Sequence, residues 1–350
     1  MRILVYGAGA VGCYLGAYLV QQGHDVTLVT RIVAAEAIKK SGLRVSHPSG
    51  SDLLVNPNTV TALRQAFLDD QRYDLLLLAV KAYDVDEALN PLIAFAPRPY
   101  PPVLALQNGI GVEELIIQAL QSDDVIAGSL TTPVSRLTPD HVRIEHADRG
   151  LALAPTHKKQ DIKNWVKLFE EAQIATQRVG NHRSMKWSKA LLNMMGNASS
   201  AILNRHPRAI YKYEPTYNLE MEMLQEALAV MKRLKIKVVD LPGTPTTRLA
   251  LAVRRLPEFM VKPVLTRIVA EGRGDKMPSF HVDLSNGRTK SEVLFHNGAV
   301  AAASQELGIP TPVNQALSDI LLKLARREID WKTFDGNPQR LLQEVEKYRD

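Results

Sequence analysis

The chain opens with RILVYGAGAVG, and no other stretch limits its possible folds as tightly. Arg2 to Tyr6 is a short β-rich apolar run, and GAGAVG at residues 7–12 matches G-x-G-x-x-G. Each glycine has its own physical duty. Gly7 permits a tight turn, Gly9 lets the backbone come close to a pyrophosphate, and Gly12 lets the next helix pack onto its strand. Ala8, Ala10 and Val11 complete the turn, and the first amides of the helix face the phosphates. Alone, such a hexapeptide is as well a glycine-rich turn before an unrelated helix. Set between an initial strand and a helical pattern through Val20, it reads as a dinucleotide-binding turn.

The alternation begun there continues. VTLVT at 26–30, DLLLLAV at 74–80, VLALQ at 103–107 and VIAGSL at 125–130 are apolar runs suited to a buried parallel sheet. Helical patterns from about Asp84 and Val112 separate them, which predicts a doubly wound α/β sheet of Rossmann type. RVSHPSGSDLLV at 44–55 reads as an added hairpin, and HVRIEH with LALAP, around Gly150, as another. After QRVGNH at 177–182 helical periodicity takes over. The boundary is placed near Gly180: residues 1–180 are expected to form a Rossmann domain that binds the dinucleotide, and 181–350 an all-helical second domain. Within the second half, residues 241–278 carry seven Lys/Arg against three Asp/Glu and read as helices 246–256 and 258–271. GIPTPVNQAL offers Thr311 as N-cap and Pro312 as first helical residue. The polar stretch from about Asp330 reads as a peripheral helix.

At 350 residues the chain can bury two cores. The excess of 43 Lys+Arg over 37 Asp+Glu gives +6, a mild bias that suits an anionic small molecule. Without a long basic run or a basic-aromatic stripe, no nucleic acid partner is expected. One cysteine, Cys13, excludes an internal disulfide and points to a reducing cytoplasm. The apolar N-terminus resembles an export signal only superficially, because four glycines punctuate it; no other apolar run approaches the roughly 20 residues of a membrane span. Nine histidines are scattered without ligand spacing, so no metal is expected.

The end of the second strand discriminates between dinucleotides. Where an acidic residue would bond a ribose hydroxyl, this chain has Thr30-Arg31, and a guanidinium forks onto a phosphate. NADP(H) is therefore preferred, an exposed strand-end arginine being the alternative. Lys81 and Asn108 follow two further strands, at the carboxyl edge where such sheets bind ligands. The bland alternatives are a solvated lysine and a common Asn-Gly turn.

KWSKALLNMMGNASS, residues 186–200, reads as one buried helix that nevertheless carries Lys189, Asn193 and Asn197 four residues apart. At about 100° per residue those three share one stripe. Ketone reduction places charge on oxygen, which an ammonium can stabilise and then protonate, while two amides fix the substrate. An outward polar face with helical spacing is the alternative.

GAGAVG, Arg31, VKAYD at 80–84, QNGIG at 107–111, KALLN at 189–193 and SEVLFHNG at 291–298 stand in an order that resembles the ketopantoate reductase (2-dehydropantoate 2-reductase) family. The resemblance implies NADPH-dependent reduction of ketopantoate to pantoate, a step towards pantothenate. By the same resemblance Lys189 is the general acid and Glu292 a second catalytic residue that also touches the nicotinamide ribose. Asn193, Asn197 and Ser279 hold the substrate, and Asn108 lies between nicotinamide and substrate. NRHPRAI at 204–210 replaces an Asn-Gly pair common in the family, the basic 241–278 segment looks inserted, and residues 283–292 run one residue long. Another 2-keto acid or an imine is therefore the rival substrate, and a non-catalytic NADPH-binding protein the rival class. A homodimer through the helical half is compatible with the sequence, which gives no handle on it.

Overall fold

The computed structural model describes residues 1–68, 71–256, 261–263, 265–266 and 276–349. The chain divides into two compact units. The first is Met1–Met185 with Leu241–Thr244, and the second is Lys186–Asp240 with Pro245–Asp350.

The first unit is built on an eight-stranded sheet. Its strands are β1 (Arg2–Tyr6), β2 (Asp25–Val29), β5 (Asn58–Val60), β6 (Leu75–Leu78), β7 (Val103–Ala105), β8 (Val125–Leu130), β11 (Leu151–Pro155) and β12 (Thr176–Arg178). The order is β12-β11-β8-β7-β6-β1-β2-β5. Neighbours run parallel except β11, which lies antiparallel to β8. Continuous apolar runs suit such strands because helices cover both faces. All four leucines of β6 are fully buried, each contributing about 1.5–3 kcal/mol relative to exposure as an upper figure. The helix Ala10–Gln21 buries Cys13, Leu15, Ala17 and Leu19.

A smaller sheet, β4-β3-β10-β9, contains β3 (Leu43–Ser46), β4 (Asp52–Val55), β9 (Val134–Thr138) and β10 (His141–Ile144). The hairpin expected over 44–55 is present, with Leu43 opposite Val55. The second expected hairpin is not. HVRIEH supplies β10, which pairs with β3 and β9, whereas LALAP is β11 of the large sheet. Gly150 ends the link, its N–H held by Thr131 Oγ1 at 3.1 Å. Two segments close in sequence are thus claimed by different sheets. The same Thr131 hydroxyl lies 2.8 Å from the carbonyl of Pro242, in the stretch Leu241–Thr244 that the first unit takes back from far downstream.

The second unit is helical, as its periodicity predicts. The long helix Glu214–Arg233 buries Tyr217, Met223, Leu224, Ala227 and Met231, and Pro312–Ala325 buries Val313, Leu317, Ile320, Leu321 and Leu324. Glu226 ties the two together. Its carboxylate accepts the Val313 and Asn314 N–H groups at 2.9 Å and Asn314 Nδ2 at 2.6 Å, where the helix dipole favours an anion. Burial pushes the Glu226 pKa up, against the pull of those hydrogen bonds. Thr311 and Pro312 occupy the expected cap and first positions, but the Thr311 hydroxyl meets Ser304 Oγ at 2.7 Å instead of capping. Of the two helices expected in the basic segment, the first is Thr246–Arg255. The second, 258–271, lies largely outside the described residues. Beyond Asp330 come a short turn of helix, Trp331–Thr333, and the helix Pro338–Glu346.

Candidate active site

In the first unit the candidate residues form a row. Asn108 follows β7, Lys81 follows β6, the glycine turn follows β1 and Arg31 follows β2, and these four strands are consecutive and parallel. Three inter-strand spacings make that edge roughly 14 Å long, the scale of an extended dinucleotide. Gln107 braces one end by donating to the carbonyls of Leu78 and Val80 at 2.8 and 3.2 Å. Lys81, Asn108 and Arg31 are all exposed.

The three glycines differ as their duties require. Gly7 has φ +104°, and a Cβ there would stand 2.6 Å from Val80 N. A Cβ on Gly12 would collide with the Gly7 carbonyl oxygen and lie 3.0 Å from Val5 Cγ1. Around Gly9 nothing lies within 4 Å of such an atom. The turn is therefore packed behind and open in front. Gly9 caps the helix Ala10–Gln21, whose first amides face that opening. A guanidinium missed in the sequence, that of Arg136 on β9, donates to the Ala8 carbonyl at 2.7 Å. The Cys13 thiol reaches the same carbonyl at 3.3 Å, and burial pushes its pKa up to about 11, so it packs as a neutral group.

The second unit holds the other candidates, and here one expectation fails. Residues 186–200 are not a single helix. The helix His182–Met194 ends, Gly196 takes φ +57°, and Ala198–Leu203 starts afresh with Asn197 at its N-cap. Asn197 therefore does not continue the stripe begun by Lys189 and Asn193. The break is held by Glu220, a fully buried carboxylate that accepts Gly196 N–H at 2.6 Å, Ser199 Oγ at 2.5 Å and Tyr211 Oη at 3.0 Å.

The break redirects the Asn197 amide. Its Nδ2 donates to the Asn193 carbonyl at 3.0 Å and approaches Ser279 Oγ at 3.4 Å, while its Oδ1 accepts Phe280 N–H at 3.2 Å. Asn193, Asn197 and Ser279 are so brought together by a route the stripe did not foresee. Ser279, exposed, is the first residue of the short helix Ser279–Ser285. Lys189 and Asn193 are half-buried, and Glu292 is buried in the turn Glu292–Phe295, whose cap Ser291 accepts Val293 N–H at 3.2 Å. His296, at the end of that turn, faces Asn193 Nδ2 at 3.3 Å. His281 lies 2.7 Å from Asn204 Oδ1, and burial lowers its pKa. A second lysine, Lys186, is only 2% exposed, deeper than Lys189. Among the described residues no three metal-ligating side chains gather, and no helix is long and apolar enough to cross a membrane.

Residues 3–155 match the family model described as "Ketopantoate reductase PanE/ApbA", and residues 181–325 match the one for its C-terminal part. The 2-dehydropantoate 2-reductase of Pyrococcus horikoshii is 28% identical over 318 residues, which span 90% of this chain and 94% of that protein. Its counterpart in Lactococcus lactis subsp. lactis is 23% identical over 324 residues, 92% of this chain and 97% of that one. Among solved structures, a PanE/ApbA family ketopantoate reductase from Ralstonia eutropha JMP134 is 27% identical with a TM-score of 0.76, covering 94% of this chain and 99% of its own. D-mandelate dehydrogenase, solved with NADH and anilino(oxo)acetate, shares the fold at 21% identity and a TM-score of 0.76, over 93% of this chain and 99% of its own.

Proposed function

The chain belongs to the ketopantoate reductase family, and from that premise we propose that it reduces 2-dehydropantoate to pantoate with NADPH. The observation that carries the reading is the row of Asn108, Lys81, glycine turn and Arg31 along one sheet edge, with an open face at Gly9. A bound reduced nicotinamide supplies the hydride. The residues present fit such a group. Gly9 admits a pyrophosphate, Arg31 suits a ribose phosphate at one end of the row, and Asn108 suits the nicotinamide at the other.

The second unit supplies the acid and the grip. Lys189 stabilises the negative charge that grows on the ketone oxygen and then delivers the proton. Its half-burial strengthens that interaction relative to water. Glu292 is the carboxylate assigned to hold that ammonium in place. Asn193, Asn197 and Ser279 orient the hydroxyl, the carbonyl and the carboxylate of the keto acid.

Steady-state kinetics with ketopantoate, a panel of other 2-keto acids, and both reduced nicotinamides test the reading. Ketopantoate with NADPH should give the highest kcat/KM; a better keto acid would reassign the substrate. Lys189→Ala should lower turnover by about 10³-fold or more while NADPH still binds. Turnover preserved within a few-fold would remove the lysine from its role.

A further inference from the structure

His296 had no part in the expected site, yet its ring is committed on both edges. It is 1% exposed and meets the Phe280 ring edge-on at a centroid distance of 5.5 Å. Nδ1 lies 2.9 Å from the backbone carbonyl of Glu292, which can only accept, so Nδ1 carries a hydrogen. Nε2 lies 3.3 Å from Asn193 Nδ2, an amide nitrogen that can only donate, so Nε2 must accept. The two contacts together demand the neutral Nδ1–H tautomer. With Nδ1–H committed to the Glu292 carbonyl, a neutral ring has only an acceptor at Nε2, and the flip of the Asn193 amide that turns its nitrogen to the ring is the one that matches it.

We propose that His296 is a positioning residue for the keto acid: it fixes the Asn193 amide with its oxygen as the acceptor presented to the substrate. The proposal rests on the reductase reading above, in which Asn193 grips the substrate. It goes beyond that reading by assigning a role to a ring that touches no reacting atom. The chain of contacts is short. Glu292, which the reductase reading pairs with the lysine, accepts the ring's Nδ1–H at its backbone carbonyl, and the ring holds the amide. One turn of helix thereby sets both the ammonium's partner and the substrate's acceptor.

The test uses the full-length protein and three substitutions. His296→Gln keeps an acceptor near the position of Nε2, whereas His296→Asn keeps a donor near Nδ1 and abandons Asn193. His296→Asn should raise KM for ketopantoate about tenfold, with KM for NADPH unchanged, and His296→Gln should stay within about threefold of wild type. In an Asn193→Ala background, His296→Asn should have no further effect, since the group it positioned is gone. Equal losses in both backgrounds, or a His296→Gln enzyme as impaired as His296→Asn, would overturn the proposal. If the wild-type protein reduces no 2-keto acid, the reductase reading fails first. Nitrogen-15 NMR of the histidine ring then decides separately: an unprotonated Nε2 that loses its hydrogen-bond shift in Asn193→Ala supports the assignment, and a ring protonated on both nitrogens refutes it.

Discussion

Two glycines mark the two units, and they were not equally readable. Gly7 turns the chain at φ +104° within a hexapeptide whose own three glycines announce the turn. Gly196 turns it at φ +57° in the middle of an apolar helical pattern, and what holds that turn is the Glu220 carboxylate, 24 residues away. A local device is written in consecutive letters. A device locked by a distant partner is written in two places, and only folding brings them together.

That contrast can be broken or sharpened by substitution. The largest effect on folding is expected from Glu220→Ala, which strips three donors of a buried acceptor and should cost about 3 kcal/mol in chemical denaturation. It should also raise KM for the keto acid through Asn197. A rise in KM for NADPH of the same size would show that the break is not confined to the second unit. Next comes Gly12→Val, whose Cβ meets the Gly7 carbonyl and should cost about 2 kcal/mol. Gly9→Ala is its control: with open space around the new methyl, stability should hold while KM for NADPH rises. A fall in melting temperature for Gly9→Ala as large as for Gly12→Val would contradict the division of labour. Arg31→Glu should shift preference from NADPH towards NADH by about tenfold, and equal effects on both cofactors would cancel the assignment of the 2′-phosphate.

The smallest effect concerns Glu114, whose carboxyl is held below the usual range mainly by its hydrogen bond to His182 Nε2 at 3.1 Å. Because the folded-state pKa is lowered, the contribution is complete above the unfolded value, from about pH 5 upward, and fades as pH falls through the folded one. Denaturation of Glu114→Gln and wild type should therefore differ at neutral pH and converge in acid. A gap that widens in acid would reverse the sign.

Much of the fold was legible. Continuous apolar runs announced the parallel strands, and the change of period after residue 182 announced the helices. The pairing of β11 was not legible, because LALAP satisfies a hairpin with HVRIEH as readily as a place beside β8. In the site, Lys189 and Asn193 keep the spacing read from the chain, but Asn197 arrives through the helix break. The Gly-Asn pair at 196–197 was the available signal, since that dipeptide suits a helix end. His296 and Glu220 had none. The meaning of each lies in a contact with a residue far away in the chain, His296 and Asn193 standing 103 positions apart.

The return of Leu241–Thr244 to the first unit has a practical side. Truncation after Met185 would delete the strap and leave the Thr131 hydroxyl without the Pro242 carbonyl. The sheet unit is not encoded by any single stretch of gene, so shuffling it onto another partner, in nature or at the bench, means carrying a helical passenger or inventing a replacement for four residues.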